Sequence, residues 1–224
     1  MRGIVTGASR GLGLALTHAL AERGWQLVVD ARDGEALELA VRGLEGVVGL
    51  AGDVADPEHR RRLVESAGEP IDLLVNNASV LGPTPLPALA DYPLDELRRV
   101  YEVNVLAPLA LAQLVLPRLA GGARILNVTS DAAVEPYEGW GGYGSSKAAL
   151  AQLSAILGAE HAGLRIYAVD PGDMRTQMQQ DAFPGEDISD RPPPEESVPG
   201  LLALIEGELP SGSYRARELV GVSA

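Results

Sequence analysis

A tyrosine and a lysine four residues apart, Tyr143 and Lys147, are the residues of this sequence whose types and spacing are best suited to catalysis. On a helix both side chains leave the same face one turn apart, so an ammonium would lie beside a phenol. The ammonium would favour the phenolate and lower the tyrosine pKa from about 10 toward the range that general acid–base catalysis uses. Ser130, thirteen residues before the tyrosine, would add a hydroxyl. The same spacing also occurs on solvated helix faces, so the surrounding elements must decide between the two interpretations.

The elements that would position these residues alternate along the chain. Short apolar segments near 2–6, 25–30, 47–50, 71–75, 123–128, 164–169 and 212–214 predict strands. Longer helical patterns at 11–23, 33–43, 56–68, 94–119, 142–162 and 196–207 predict helices. This alternation is typical of an α/β fold in which helices cover both faces of a parallel sheet. The 224 residues fit a single domain, 1–224, in which the proline- and acid-rich stretch 181–199 has the composition of a loop.

The composition narrows the range of partners. The formal net charge of -13 disfavours nucleic acid and anionic membrane surfaces. The basic run HRRR at 59–62 lies in a predicted helix, where we expect a solvated face. The absence of cysteine excludes disulfides and thiolate metal sites. No uninterrupted apolar run approaches the roughly 20 residues of a membrane span, and the start has no signal-peptide pattern, so a cytoplasmic location is the default expectation.

The three histidines do not suggest a metal site. His18, His59 and His161 lie on three different predicted helices, without the spacing of metal ligands. We expect each to be a surface or capping residue. The sequence therefore predicts no bound metal.

A glycine-rich turn follows the first predicted strand. It reads TGASRGLG, with Gly7, Gly11 and Gly13 in a GxxxGxG spacing before a helix. Glycines there would permit a tight turn and the close approach of a pyrophosphate to backbone N–H groups at a helix N-terminus. The spacing differs from the commoner GxGxxG, and the turn lacks the GK[ST] ending of a nucleoside-triphosphate loop. The turn therefore favours a dinucleotide.

The ends of the second and third predicted strands bear on the choice of dinucleotide. Asp30 is placed to bind a ribose 2′-hydroxyl and to select NAD, whereas Arg32 and Arg10 would neutralise a 2′-phosphate and select NADP. These two signals conflict. Asp53 would accept a hydrogen bond from an adenine amino group, or would act as a turn or helix cap.

Further polar residues follow strand four and interrupt a helix. Asn76 and Asn77 end the fourth strand, where their amides would brace neighbouring strands or contact a ribose. Asn104 lies among apolar neighbours and needs a partner, so it is either a satisfied buried amide or a water ligand. Pro108 suggests a kink close to it. Because the carboxyl ends of parallel strands share one sheet edge, these residues converge with Ser130 on one site.

These motifs, in this order, resemble the short-chain dehydrogenase/reductase family. The motifs are TGASRGLG at 6–13, DV at 53–54, NNAS at 76–79 where the family usually has NNAG, Asn104, Ser130, YGSSK at 143–147 and PGDMRT at 171–176. The resemblance implies a Rossmann-like doubly wound parallel sheet of about seven strands, in the order 3-2-1-4-5-6-7, inside a three-layer sandwich. It also implies an NAD(P)-dependent oxidoreductase that acts on a small carbonyl or alcohol.

The resemblance also implies a role for each site residue. Tyr143 would protonate the carbonyl oxygen during reduction or act as base in oxidation, and Ser130 would polarise that oxygen. Lys147 would bind the nicotinamide ribose and lower the pKa of Tyr143, and Asn104 would hold a water that links the lysine to solvent. The implied cofactor-binding residues are Gly7, Ser9, Arg10, Gly11, Leu12, Gly13, Arg32, Asp53, Val54, Asn77, Ala78, Tyr143, Lys147, Pro171, Gly172 and Thr176. Ala31 takes the place of the acid of NAD-selective members and Arg32 follows it, so we prefer NADP over NAD.

The residues that would bind the substrate are less clearly indicated, because the family motifs end at Thr176. A lid is expected at about 177–199. Asp131 and Asp173 would disfavour anionic substrates. The apolar residues Met174, Met178, Phe183 and Trp140 would line a pocket or pack the lid onto the body.

Other functions on the same scaffold stay open at this point. They are a nucleotide-sensing or scaffold protein without turnover, and a lyase or epimerase. By analogy with the family we expect a homodimer or homotetramer, formed through helices 94–119 and 142–162.

Overall fold

The computed structural model describes residues 1–221, so residues 222–224 of the predicted domain lie outside the description. The fold is built on one parallel sheet. Its strands are β1 (Arg2–Val5), β2 (Gln26–Ala31), β3 (Val47–Ala51), β4 (Ile71–Asn76), β5 (Leu119–Val128), β6 (Arg165–Asp170) and β7 (Gly212–Arg215). They pair in the order β3-β2-β1-β4-β5-β6-β7, every pair being parallel. The predicted fold class and strand order are confirmed.

Helices cover both faces of this sheet. They are α1 (Gly11–Glu22), α2 (Gly34–Val41), α3 (Pro57–Ala67), α4 (Leu94–Tyr101), α5 (Ala107–Val115), α6 (Gly141–Glu160), α7 (Gln177–Ala182) and α8 (Val198–Glu206). Side chains alternate across a strand, so Ile4 packs into the core layer on one face and Val5 into the layer on the other. Leu74 and Val75 repeat the pattern on β4. The result is the expected three-layer arrangement.

The predicted continuous helix 94–119 is wrong in detail. A π-helical turn, Glu102–Leu106, separates α4 from α5, and a 3₁₀ turn, Leu116–Arg118, ends the run. Strand β5 then begins at Leu119, four residues before the predicted strand start. Pro108 explains the interruption in part, because it has no N–H to donate to the carbonyl four residues earlier, that of Asn104.

The same composite helix, Leu94–Arg118, is long and apolar enough by length and composition to cross a membrane, and no other helix within residues 1–221 passes that test. Half of its most apolar window is buried inside the fold. Leu111 and Val115 of α5, for example, are fully covered by the core beside β4 and β5. The apolar character therefore serves core packing.

The predicted loop 181–199 contains more regular structure than its composition suggests. Helix α7 extends to residue 182, a 3₁₀ turn spans Pro194–Ser197, and α8 begins at Val198. The Thr176 side chain caps α7 by accepting a hydrogen bond from the Gln179 N–H, 3.3 Å away. Ile188 is buried as well. The loop prediction was wrong at residues 181 and 182, which belong to the capped helix α7, whereas α8 agrees with the predicted helix 196–207.

Candidate active site

The carboxyl ends of the strands open onto one cleft of about 1720 Å³. Parallel strands place these ends at the same sheet edge, which is why residues distant in sequence meet there. The cleft is lined by sixteen of the predicted site residues: Gly7, Ser9, Arg10, Gly11, Leu12, Arg32, Asp53, Val54, Asn77, Ala78, Ser130, Tyr143, Lys147, Pro171, Gly172 and Thr176. Two further predicted residues, Gly13 and Asn104, are buried and do not line the cleft.

The glycine-rich turn forms one end of the cleft. Gly7 and Gly11 have φ values of 70° and 58°, in the left-handed region that favours glycine. A Cβ on Gly13 would collide with the carbonyl oxygen of Gly7, so this glycine lets α1 pack closely against the turn and does not itself face the cleft. The α1 N-cap residue, Arg10, makes no side-chain cap, which leaves the first-turn N–H groups available to an anion. The turn therefore fits a dinucleotide pyrophosphate.

The asparagines after β4 brace this edge of the sheet. The Asn77 Nδ2 donates to the carbonyl oxygens of Thr6 and Gly7, at 2.8 and 3.0 Å. The Asn76 Nδ2 donates to the Asn127 Oδ1 on β5, at 2.7 Å. Bracing is thus the observed role of both amides, although Asn77 also lines the cleft.

Asp30, one of the two conflicting cofactor signals, is buried behind the glycine turn with only 1% of its surface exposed. Its Oδ1 accepts a hydrogen bond from the Gly7 N–H at 2.7 Å, and its Oδ2 lies 3.0 Å from the His59 Nε2. Both carboxylate oxygens are therefore engaged inside the protein. Arg32 and Arg10, by contrast, are exposed at the mouth of the cleft.

The prediction that residues 59–62 form a solvated face is wrong for His59 and Arg60. His59 is fully buried and Arg60 is 7% exposed, with the Arg60 guanidinium donating to the Val54 carbonyl oxygen. The prediction that His59 is a surface or capping residue is wrong for the same reason. Helix α3 packs across the end of β3, where Gly52 has no side chain to occupy the space of the imidazole.

Asp53 closes the far end of the cleft as a turn residue and as one half of an ion pair. Its Oδ1 accepts the Ala55 N–H at 2.9 Å, and its Oδ2 pairs with Arg99 of α4. Partial burial alone would raise the pKa of Asp53, but the Ala55 N–H and the Arg99 guanidinium outweigh it and hold that pKa below its usual value. Sequence reasoning missed Arg99, because the pairing spans 46 residues and no local pattern indicates it.

The predicted catalytic groups meet at the middle of the cleft. Tyr143 and Lys147 leave α6 on one face, as predicted, with the Lys147 Nζ 5.4 Å from the centre of the phenol ring. The Nζ donates to the Val128 carbonyl oxygen at the end of β5, at 2.8 Å. Gly144 allows the approach of α6, because a Cβ there would lie 2.6 Å from the Ala132 carbonyl oxygen.

Ser130 is held by its own loop. Its Oγ donates to the Asp131 Oδ1 at 2.9 Å and accepts from the Ala132 N–H at 3.2 Å. It lies close enough to Tyr143 for its hydroxyl to lower the pKa of the phenol. The serine, the tyrosine and the lysine therefore lie together in the cleft.

The pKa values of this group differ from the prediction. Burial raises the pKa of Tyr143, the Asp170 carboxylate adds to the increase, and hydrogen bonds with Ser130 and Ser79 only partly oppose it. Burial lowers the pKa of Lys147 to about 7. The predicted lowering of the Tyr143 pKa is wrong, because desolvation and the Asp170 and Asp131 carboxylates raise that pKa, and the groups that oppose the increase are Ser130 and Ser79.

Asn104 lies in the π-helical turn and is fully buried. Its Oδ1 accepts hydrogen bonds from the Val80 N–H and the Ser79 hydroxyl, at 2.9 and 3.1 Å. Its Nδ2 donates to the Val80 carbonyl oxygen and to the Ser146 Oγ, at 2.9 and 3.0 Å. Of the two interpretations, the satisfied buried amide describes this side chain. A water held by Asn104 would therefore have to bind to its main chain.

Comparison with known proteins agrees with this architecture. The sequence profile described as short chain dehydrogenase matches residues 3–187. The chain belongs to the short-chain dehydrogenase/reductase family.

Several relatives of the chain are named as dehydrogenases or reductases. The chain is 35% identical over 190 residues to a 1-deoxy-11-beta-hydroxypentalenate dehydrogenase of Streptomyces exfoliatus, covering 79% of this chain and 68% of that protein. It is 33% identical over 193 residues to a benzil reductase ((S)-benzoin forming) of Bacillus subtilis, covering 79% and 75%. A short-chain dehydrogenase from Shigella flexneri, solved in complex with NADP, superposes with a TM-score of 0.88 at 25% identity, over 96% of each chain. The protein is an oxidoreductase of this family.

Ser79 is where the site departs from the usual family motif, since NNAS replaces NNAG. The serine lines the cleft and places its hydroxyl between Asn104 and Tyr143. The sequence signalled this residue through the motif mismatch, but not its contacts. Asp170, at the end of β6, was not predicted at all, and burial raises its pKa while the Gly172 N–H, 2.8 Å away, opposes that increase.

Proposed function

We propose that this protein is an NADP-dependent oxidoreductase that transfers a hydride between nicotinamide C4 and a carbonyl or secondary alcohol, with Tyr143 as the general acid or base. The observation that carries the proposal is the meeting of Ser130, Tyr143 and Lys147 with the glycine-rich turn in one cleft. A bound nicotinamide supplies the hydride in reduction and accepts it in oxidation.

The chain's own residues would hold the cofactor along the cleft. The N-terminus of α1 would bind the pyrophosphate through backbone N–H groups. Lys147 would bind the nicotinamide ribose beside Tyr143. Pro171, Gly172 and Thr176, which line the same cleft, would flank the nicotinamide.

The proton chemistry follows from burial. A raised pKa keeps the Tyr143 phenol protonated at neutral pH, which suits an acid that delivers a proton to a carbonyl oxygen. Ser130 would donate a hydrogen bond to the same oxygen and stabilise the charge that develops there. Lys147, with its pKa of about 7, would restore the proton through a water held by the main chain of Asn104.

The preference for NADP rests on the positions of three side chains. Asp30 is engaged by Gly7 and His59, whereas Arg32 and Arg10 are exposed beside it. A free 2′-hydroxyl would find both oxygens of Asp30 already engaged, whereas a 2′-phosphate would meet two guanidinium groups. The ratio of kcat/KM for NADPH and NADH tests this: we expect NADPH to be preferred and Arg32→Ala to reduce the preference about tenfold. A preference for NADH would refute it.

Turnover itself separates the proposal from a sensor, a scaffold or a lyase. We expect NADPH consumption on a panel of ketones and aldehydes, and a loss of 100-fold or more in kcat for Tyr143→Phe, on the order of a general acid's contribution. NADPH binding, measured by fluorescence, is expected to persist in this variant. Binding without consumption on every carbonyl would instead favour a sensor or scaffold.

Assembly and location stay predictions. A homodimer or homotetramer is expected, which light scattering after size-exclusion chromatography would check. Cell fractionation would check the cytoplasmic location.

A further inference from the structure

Aromatic rings are concentrated at the substrate end of the cleft. The chain has nine aromatic residues, namely two Trp, six Tyr and one Phe. Four of them, Tyr137, Trp140, Tyr143 and Phe183, line this end and contact one another around Trp140. The ring centres lie 6.3 Å apart for Tyr137 and Trp140, 5.8 Å for Trp140 and Tyr143, and 6.0 Å for Trp140 and Phe183. We call these four residues the aromatic wall.

Packing of the lid does not account for the whole wall. The contact between Trp140 and Phe183 joins the body to the lid, but Tyr137 remains 47% exposed. Its hydroxyl donates to the Asp131 Oδ2 at 2.9 Å, which fixes the ring at the mouth of the cleft. Trp140 and Phe183 are also only partly covered. Aromatic surface therefore remains available beside the catalytic phenol.

Apolar side chains extend this surface around the phenol. Leu81 and Tyr143 belong to one small buried cluster, onto which Leu86 of the same loop as Leu81 and Met178 of α7 pack. Leu81 and Met178 also line the cleft. Aromatic rings pair favourably edge to face or offset, so a planar ring on the substrate would gain contacts here that a saturated ring of similar size would not.

The same end of the cleft carries an excess of negative charge. Asp131 is held beside Ser130 by three hydrogen bonds, from the Ser130 hydroxyl, the Ala132 N–H and the Tyr137 hydroxyl, at 2.8 to 2.9 Å. The acidic residues lining this end are Asp131, Glu138, Asp170, Asp173, Asp181 and Glu195, against Lys147, Arg175 and Arg191. Arg191 is already paired with Asp173 and Asp190. A carboxylate or phosphate on the substrate would meet like charges.

We infer that the substrate end of the cleft binds an aryl ketone, or the secondary alcohol formed from it, that carries no negative charge. The inference rests on the proposed function and names the substrate class of the same site. Hydride adds to the carbonyl carbon while the proton from Tyr143 goes to its oxygen, so ketone, NADPH and one proton give alcohol and NADP. The aromatic wall would hold the aryl group next to Tyr143 and Ser130.

The first test compares acetophenone with cyclohexyl methyl ketone, whose rings have the same number of carbons. Intrinsic reactivities of the two ketones differ, so the measured quantity is the change in their kcat/KM ratio on mutation. We expect Trp140→Leu to reduce the preference for acetophenone about tenfold, the order expected for lost ring pairing. The control is Tyr214→Leu, an aromatic residue outside the cleft lining, which should leave the ratio unchanged. An unchanged ratio in Trp140→Leu would refute the inference.

The second test concerns charge. We expect KM for 4-acetylbenzoate to exceed KM for acetophenone by about tenfold at low salt, and the difference to shrink as salt screens the carboxylates. A lower KM for the benzoate, or a difference independent of salt, would refute the charge part of the inference.

A binding measurement keeps the inference separate from the proposed function. With NADPH present, 1-phenylethanol and 1-cyclohexylethanol cannot react, so calorimetry measures binding alone. Tighter binding of 1-phenylethanol, lost in Trp140→Leu, supports the aryl site even if no ketone is reduced, an outcome that would refute the proposed function only. Reduction of ketones with equal binding of the two alcohols would refute the inference and leave the proposed function standing.

Discussion

Replacing Asp30 by asparagine tests whether this residue supports the glycine-rich turn or selects the cofactor. Its two oxygens each accept a hydrogen bond, one from the Gly7 N–H and one from the His59 Nε2. Arg62 can only donate, and its Nη2 lies 3.2 Å from the His59 Nδ1, so Nδ1 is the acceptor and Nε2 carries the hydrogen. Asp30 therefore faces two donors.

The amide in Asp30→Asn has one oxygen and one NH₂ group, so it can satisfy only one of those donors. The NH₂ group then faces either the Gly7 N–H or the His59 Nε2–H. An unsatisfied buried donor costs about 1–3 kcal/mol, and we expect a loss of about 2 kcal/mol in the free energy of unfolding. For a chain of this length that corresponds to a fall of about 4–8 °C in Tm.

Thermal and urea unfolding measure the loss, and Asp95→Asn is the matched control. Asp95 is 94% exposed in its pair with Arg98, so its replacement should change the free energy of unfolding by less than about 0.5 kcal/mol. We expect Asp30→Asn to weaken NADPH and NADH by the same factor, because the Gly7 turn serves both. A stability equal to the wild type, or a selective loss of NADH binding, would refute the structural role.

Three further predictions follow from the site. Gly13→Ala should abolish cofactor binding, measured by NADPH fluorescence, because its Cβ would collide with the Gly7 carbonyl oxygen, whereas Gly163→Ala, with open space around it, should bind normally. Burial lowers the pKa of Lys147 from 10.5 to about 7, so Lys147→Met should stabilise the protein at pH 6, by up to about 5 kcal/mol. Between about pH 7 and 10.5 the unfolded wild-type chain binds one more proton than the folded one, so wild-type stability rises with pH and the difference in urea unfolding should shrink. A constant difference would contradict this. Ser79→Gly removes a hydroxyl that opposes the raised pKa of Tyr143, so kcat at pH 7 should fall about threefold. An unchanged kcat would show that Ser79 does not act on the phenol.

The pattern of the fold could be predicted because its signals are local. Apolar segments of strand length, separated by helical patterns, gave seven strands within a few residues of the observed ones, except at the start of β5. Pro108 indicated a break in the helix near Glu102–Leu106. Whether that break is a π-helical turn depends on how α4 and α5 pack, so the type of turn was not predictable.

The sequence by itself determined the glycine-rich turn, the Tyr143 and Lys147 pair and their shared sheet edge, because each follows from spacing within a few residues or from strand direction. Tertiary structure decided the hydrogen-bond partners, the ion pairs and the pKa values of those residues and their neighbours. Only packing engages the two Asp30 oxygens with the Gly7 N–H and the His59 ring, and only a contact across 46 residues places Arg99 on Asp53. Tertiary structure also decided that the Tyr143 pKa is raised. Burial and the Asp170 carboxylate cause this increase, and both depend on what surrounds the phenol in space and not on its neighbours in the chain.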